Sequence, residues 1–273
     1  MRFLTELYGK HKGQPIWIIG SDPTLDSYPD DFLNGKIGMT LHMAHVKFPR
    51  ASYRYANEVD RVEYLADNYP DFLKQDNIFS WPFYWKTKRY SKNAVKGGDP
   101  WFHRLRSYQP WGIRGFIDWK FTEKKVRQAV QGRSINFGGH GTCLHGAMFT
   151  ALYLGCNEIN LIGCGHGMVS AEKEHFGSIN EIDKQMRPGI PLFSDPENNV
   201  PMIEQTLAII AGCEKMGIKI NWIKKWSADL NDHICVDKDH LMKKKKQLKK
   251  RALTLKYLIR LAIMPLNWLI NSF

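Results

Sequence analysis

Pro15-Ile16-Trp17-Ile18-Ile19-Gly20-Ser21-Asp22-Pro23-Thr24-Leu25 is an apolar run that breaks off into a short polar loop. Apolar residues at successive positions from Ile16 to Ile19 are the pattern of a strand buried on both faces. Gly20 permits a sharp exit from that strand, and Ser21 and Thr24 are residue types that cap a following turn and bond an anion. A loop with these properties after a buried strand is where an α/β protein holds a phosphate, so Gly20, Ser21, Asp22 and Thr24 are candidate nucleotide-binding residues. A strand followed by a plain Asx or Ser/Thr turn has the same local sequence. The choice between the two rests on the remainder of the chain.

Working outward, short runs of strand character occur at 36–41, 52–57 and 77–81, and helical spacing at 60–73. The second half is clearer. Residues 142–154 form an apolar, small-residue helix pattern stopped by Gly155, and 158–163 read as a buried strand. Residues 200–216 read as a helix ended by Gly217, and 219–223 as a further strand. Strands alternating with helices predict a mostly parallel sheet covered on both faces. Such sheets bind ligands beyond the carboxyl ends of their strands, which points to His42, His45, Asn57 and the loop from Cys164 to Met168 as well as to the first loop.

The 273 residues carry a formal charge of +12, but nine of the 39 Lys and Arg fall in 243–273 with no Asp or Glu. That leaves 30 bases against 27 acids in residues 1–242, a net of +3, which offers no broad electrostatic groove and argues against a nucleic-acid partner. The tail is read as an amphipathic helix in which a basic cluster from Lys243 to Arg251 precedes a leucine-rich face interrupted by Lys256 and Arg260. Two charges and Pro265 count against a membrane span, so the tail is expected to lie on an anionic membrane surface. Five cysteines at irregular spacing, with a polar start to the chain, suggest a reducing, cytoplasmic setting, peripheral on the inner face of the cell membrane. His140, Cys143 and His145, with Cys164 and His166, lack a zinc-site spacing, and no metal is expected. Between Phe79 and Phe121 aromatic residues crowd among Lys, Arg, Gly and Pro, the composition of an inserted lid with its own small core.

Two motifs carry a family resemblance. Ile18-Ile19-Gly20-Ser21-Asp22-Pro23-Thr24-Leu25 resembles the apolar strand followed by Gly-Asn-Gly-Pro-Ser-Leu of the bacterial lipooligosaccharide sialyltransferases and of related proteins that share their Rossmann-like domain, including hydroxymethylpterin diphosphokinase-like proteins. Thr142-Cys143, and the run from Ala151 through Leu154-Gly155-Cys156-Asn157-Glu158-Ile159 to Gly163, resemble that family's Thr-Ser helix, its Leu-Gly-x-x-Glu-Ile turn and its next strand. The chain departs from the pattern at Asp22, where the family has Gly, and at Cys164-Gly165-His166-Gly167, where the family has Gly-x-Asp-x-Tyr after the strand's Gly. It departs again at Pro201, which stands where the family has its catalytic His.

The resemblance implies a Rossmann-like α/β fold and a metal-independent, sialyltransferase-like glycosyltransferase. The enzyme would move a sugar from a nucleotide donor, a cytidine monophosphate sugar, to a glycolipid or surface-polysaccharide acceptor, with no cofactor beyond that donor. Ser21 and Thr24 would lie near phosphate or ribose, and Thr142 and Cys143 near the nucleotide. Since the family's own base is missing, His166 and His175 are the candidates for the acceptor's general base, with Arg187 and His42 as substrate-binding residues. Two alternatives remain: a magnesium-dependent phosphoryl transferase with Asp22 as metal ligand, and a non-catalytic nucleotide- or glycan-binding member of the same fold. The expected division is 1–78 and 136–242 as the two halves of the nucleotide-binding domain, 79–135 as the aromatic insert and 243–273 as the tail.

Overall fold

The computed structural model describes residues 2–56, 64–65, 67–69, 77–80, 101–103, 119–133, 142–165, 182 and 200–223. Among these residues eight strands form one sheet: β1 Arg2–Phe3, β2 Pro15–Ile19, β3 Gly38–Leu41, β4 Tyr53–Ala56, β5 Asn77–Ser80, β6 Trp101–His103, β7 Glu158–Ile162 and β8 Lys219–Trp222. The helices described from end to end are α1 Trp119–Val130, α2 Cys143–Tyr153 and α3 Val200–Glu214. The strand order is β1-β6-β5-β4-β3-β2-β7-β8, and every neighbouring pair is parallel. The fold class is therefore α/β with a parallel sheet, as the alternation predicts.

Each face of the sheet has its own apolar core. Alternate residues Ile16, Ile18, Met39, Leu41, Tyr53, Tyr55, Ile159 and Leu161 lie in a core shared with α1, α2 and α3. The residues between them, including Trp17, Ile19, Ala56 and Ile162, meet Leu25, Phe32, Met43 and Phe48 from the loops on the other side. Period-two side-chain alternation makes this division unavoidable once both faces are covered. Helix α2 is buried from Leu144 to Tyr153, which explains why it is apolar all round rather than amphipathic. Its far end is tied to the start of β2, since the amides of Gly9 and His11 donate to the carbonyls of Tyr153 and Leu154 at 3.1 and 2.8 Å.

Strands β3, β4, β5, β7 and β8 and helices α2 and α3 fall within the ranges that the sequence pattern gives them. Of the helix expected at 60–73, residues 64–65 and 67–68 are described and helical. Three elements were not anticipated. The two-residue β1 is too short to carry a pattern, while β6 and α1 lie inside the aromatic stretch 79–135. There, β6 pairs with β5 and β1, and α1 packs on α3, so at these residues the stretch contributes to the main sheet and its helical layer. Lys, Arg and aromatic residues in that segment obscure the period of α1, whose buried face is only Thr122, Val126 and Ala129. The tail, 243–273, lies outside the described residues. Among the described residues no helix is long and apolar enough to cross a membrane.

Two consequences can be measured. Phe149 is 1% exposed in the helical core, so Phe149→Ala is expected to lower the unfolding free energy by about 3–5 kcal/mol in urea titration. At the amino end of the sheet, His11 Nε2 shares a 2.7 Å hydrogen bond with the Tyr53 hydroxyl. Burial holds its pKa below the ordinary 6.5, opposed by the Gln14 hydrogen bond and aided by Lys10. The unfolded chain therefore takes up a proton at His11 before the folded one does as pH falls. This contribution is complete above about 6.5 and is lost as pH drops through the lower folded value. Unfolding at pH 7.5 and pH 5 should show a smaller acid loss in His11→Gln than in the parent chain.

Candidate functional site

The chain leaves β2 toward β3 on one side, and returns much later to place β7 on the other side of β2. That reversal makes the loops at the carboxyl ends of β2 and β7 the topological switch point of the sheet, the kind of place where open parallel sheets bind ligands. The two loops touch through bare backbone. A Cβ at Gly20 would stand 2.0 Å from the Gly163 carbonyl oxygen, and Gly163 itself has φ +61 with the Gly20 carbonyl 2.8 Å from its own missing Cβ. Gly20 is thus required by close approach and Gly163 by both approach and backbone sign.

Asp22 fastens this contact. Its amide donates to the Gly163 carbonyl at 3.0 Å, and its Oδ2 accepts from the Gly165 amide at 2.6 Å. Oδ1 accepts from the Thr24 amide at 2.8 Å and from the Thr24 hydroxyl. Asp22 is consequently the N-cap of the 3-10 turn Pro23–Ser27 and a staple between two loops 140 residues apart in sequence. The extra charge relative to the resembling family's Gly has a structural use, because each carboxylate oxygen is taken by donors of the chain. Ser21 and Thr24 remain half-buried on the same loop.

The start of α2 lies near Cys164, the residue after Gly163. The Thr142 hydroxyl accepts from the Leu144 amide at 3.2 Å and caps the helix. Cys143, half-buried at the first turn, lies close enough to Cys164 and Tyr55 to raise the pKa of both. The main cause of each shift is burial. Cys164 is pushed well up by burial and then by Asp22, against a partial offset from the Gly20 backbone, and Tyr55 by burial and then Cys143. Tyr28, at the end of the 3-10 turn, is likewise raised by burial and by Asp22 and Cys164. At neutral pH these buried groups are therefore a protonated thiol and two neutral phenols, none of them a nucleophile or base.

At the end of β3, His42 holds φ 43, the one non-glycine residue with positive φ among those described, and is 7% exposed. A β-carbon in the left-handed region costs about 1–3 kcal/mol and is retained where position matters. His45, three residues on, is fixed differently: its Nδ1 accepts from Arg54 Nε at 2.6 Å, so Nδ1 is the unprotonated nitrogen. Arg54, 1% exposed in β4, also donates to the Pro49 carbonyl at 2.5 Å. His145 is in the α2–α3 packing, with Nε2 2.9 Å from the Thr206 hydroxyl and 3.0 Å from the Met202 carbonyl, and not in a metal cluster. Among the described residues no group of three or more His, Cys, Asp or Glu is placed to hold a metal.

The structure thus gathers Gly20, Ser21, Asp22 and Thr24 in the loop after β2, brings Cys143, next to the cap residue Thr142, near Cys164, and puts His42 on the same edge of the sheet. Asn57, His166, His175 and Arg187 lie outside the described residues. Sequence reasoning missed Tyr28 and Arg54. A lone arginine among Tyr53, Tyr55 and Ala56 in a strand buried on both faces was the available signal for Arg54. Tyr28 had none, because its proximity to Asp22 depends on the turn. Comparison of the chain with known protein families, with curated proteins and with solved structures gives no match.

Asp22→Ala should cost about 1–3 kcal/mol for each amide left without an acceptor, read by urea unfolding, and Asp22→Asn distinctly less because Oδ1 is kept. Gly20→Ala should cost more than about 4 kcal/mol, since the opposing atom is backbone and has no rotamer to yield.

Proposed function

We propose that this chain is a nucleotide-sugar-dependent glycosyltransferase on a Rossmann-like, sialyltransferase-like frame, moving a sugar to a glycolipid or surface-polysaccharide acceptor at a membrane surface. The observation that carries this reading is the switch point between β2 and β7, with the capped Gly20–Thr24 loop after β2 and the capped start of α2, whose Cys143 lies near Cys164 after β7. In this reading a donor such as a cytidine monophosphate sugar lies across these two elements. Ser21 and Thr24 contact phosphate or ribose, the amino end of α2 at Thr142 and Cys143 supplies a partial positive charge to the nucleotide, and His42 and Arg187 contact substrate.

The chemistry needs a base for the acceptor hydroxyl and stabilisation of the leaving nucleotide. His166 follows directly on Gly165, whose amide is bonded to Asp22, and is the proposed base; His175 is the second candidate. Cys164, Tyr28 and Tyr55 are poor bases for the reason given by their raised pKa values. The taken oxygens of Asp22 favour a structural carboxylate over a magnesium ligand, and so favour metal-independent sugar transfer over phosphoryl transfer.

A thermal-shift panel of CMP, UDP, GDP and ATP, each with and without magnesium, tests the site. CMP at a hundredfold excess over its dissociation constant should raise the melting temperature by about 5 °C without metal. Ser21→Ala should diminish that shift and His166→Ala should keep it. CMP should also shield Cys143 from maleimide, followed by peptide mass spectrometry. Absence of a shift with every nucleotide would sink the enzyme reading, and a shift seen only with ATP and magnesium would replace sugar transfer by phosphoryl transfer. The proposed tail contact is checked by flotation with anionic liposomes. Chains lacking 243–273 should float less, and equal flotation refutes that role.

A further inference from the structure

Helix α1 divides cleanly into two faces. Thr122, Val126 and Ala129 are buried toward the core, and Val126 and Ala129 belong to the cluster shared with α3. On the opposite side Lys120, Lys124, Arg127 and Gln131 follow one another at three- and four-residue steps and are all exposed. These four positions make a stripe about 16 Å long. A recess of about 600 Å³ on this face is lined by the same residues together with Glu123, Gln128 and Arg133. Four cations therefore meet one carboxylate there, and that carboxylate is occupied. Glu123 bonds Lys215 of α3's end at 2.5 Å and Arg127 at 3.3 Å, and these contacts, Lys215 first, hold its pKa below the ordinary value. Counting Lys215, the surface carries five bases against Glu123.

We propose that this face of α1 binds an anionic phospholipid membrane, as a contact on the folded body separate from the tail. Its features fit headgroup phosphates: long basic side chains along a convex helix, bordered by Phe121, which is 52% exposed and one of two large exposed hydrophobic residues among those described. Lys125 lies over the Phe121 ring at 5.0 Å, so that aromatic sits among cationic side chains at the border of the stripe. An aromatic ring beside lysines suits the boundary between headgroups and acyl chains. Nucleic acid is the less favoured polyanion, since residues 1–242 beyond this patch are close to neutral in charge. Basic side chains outside a Debye length lose their hold, so the contact weakens with salt.

The test uses the full chain without nucleotide, so its outcome is independent of the transferase reading. Partition is measured onto phosphatidylcholine vesicles with and without phosphatidylserine. The triple variant Lys120→Gln, Lys124→Gln, Arg127→Gln should retain its melting temperature, because the three side chains are exposed, and lose about 100-fold in partition onto the anionic vesicles, roughly fivefold for each charge. Glu123→Gln should move partition the other way. Unchanged partition of the triple variant onto anionic vesicles overturns the proposal, as does an equal loss on both vesicle types. Intact vesicle binding with lost single-stranded RNA binding would make the face a nucleic-acid surface and overturns it too.

Discussion

Two glycines in contact, Gly20 after β2 and Gly163 after β7, set the terms for everything at the carboxyl edge of the sheet. Hydrogen bonding between β2 and β7 runs the full length of both strands, from Pro15 opposite Glu158 to Ile19 opposite Ile162, and continues past their ends through the Gly20 and Asp22 amides. The loops are therefore extensions of the ladder and not free connections. Asp22 then converts a backbone approach into a locked one, since its carboxylate spans from the turn it caps to the amide of Gly165. The course of both loops is thereby set by backbone contacts and one buried carboxylate.

The electrostatic character of this edge of the sheet follows from that lock. Asp22 is buried at 7% exposure, and the groups around it, Tyr28 and Cys164, are kept protonated in part by its charge. Its own charge is answered by amide dipoles and a hydroxyl. The Thr24 hydroxyl is therefore spent on Asp22, inside the turn that the carboxylate caps. Further along the edge, Arg54 fixes the tautomer of His45, so the second histidine after β3 is set by a charge buried beneath it.

Much of this was legible in the sequence, and what was not had physical causes. The continuous apolar run Ile16–Ile19, and the run Ile159–Ile162 broken only by the buried Asn160, identify interior parallel strands because both faces of the sheet are covered. Helix α2 was readable from its small apolar residues and from the stop at Gly155. By contrast β6 and α1 hid in a segment whose aromatic and basic residues match no period, and β1 spans too few residues to show one. At the site, the loop was found but the use of Asp22 was not. A carboxylate read in isolation suggests a cation or a misfit, and only the return of the chain at Gly165 reveals the acceptor's partner. Arg54 was visible as an oddity in a strand, while its bond to His45 depends on a turn whose course no local rule specifies.

The position of β2 also shapes how the molecule comes into being. Its β3 side is satisfied within a few dozen residues, but its other side waits for Glu158–Ile162, far later in synthesis. Until then a strand of consecutive branched apolar residues presents an open row of amides and carbonyls, the template for pairing with another nascent chain. The same long-range closure that joins the Gly20 and Gly163 loops is thus among the last steps in completing the sheet, with only β8 to follow.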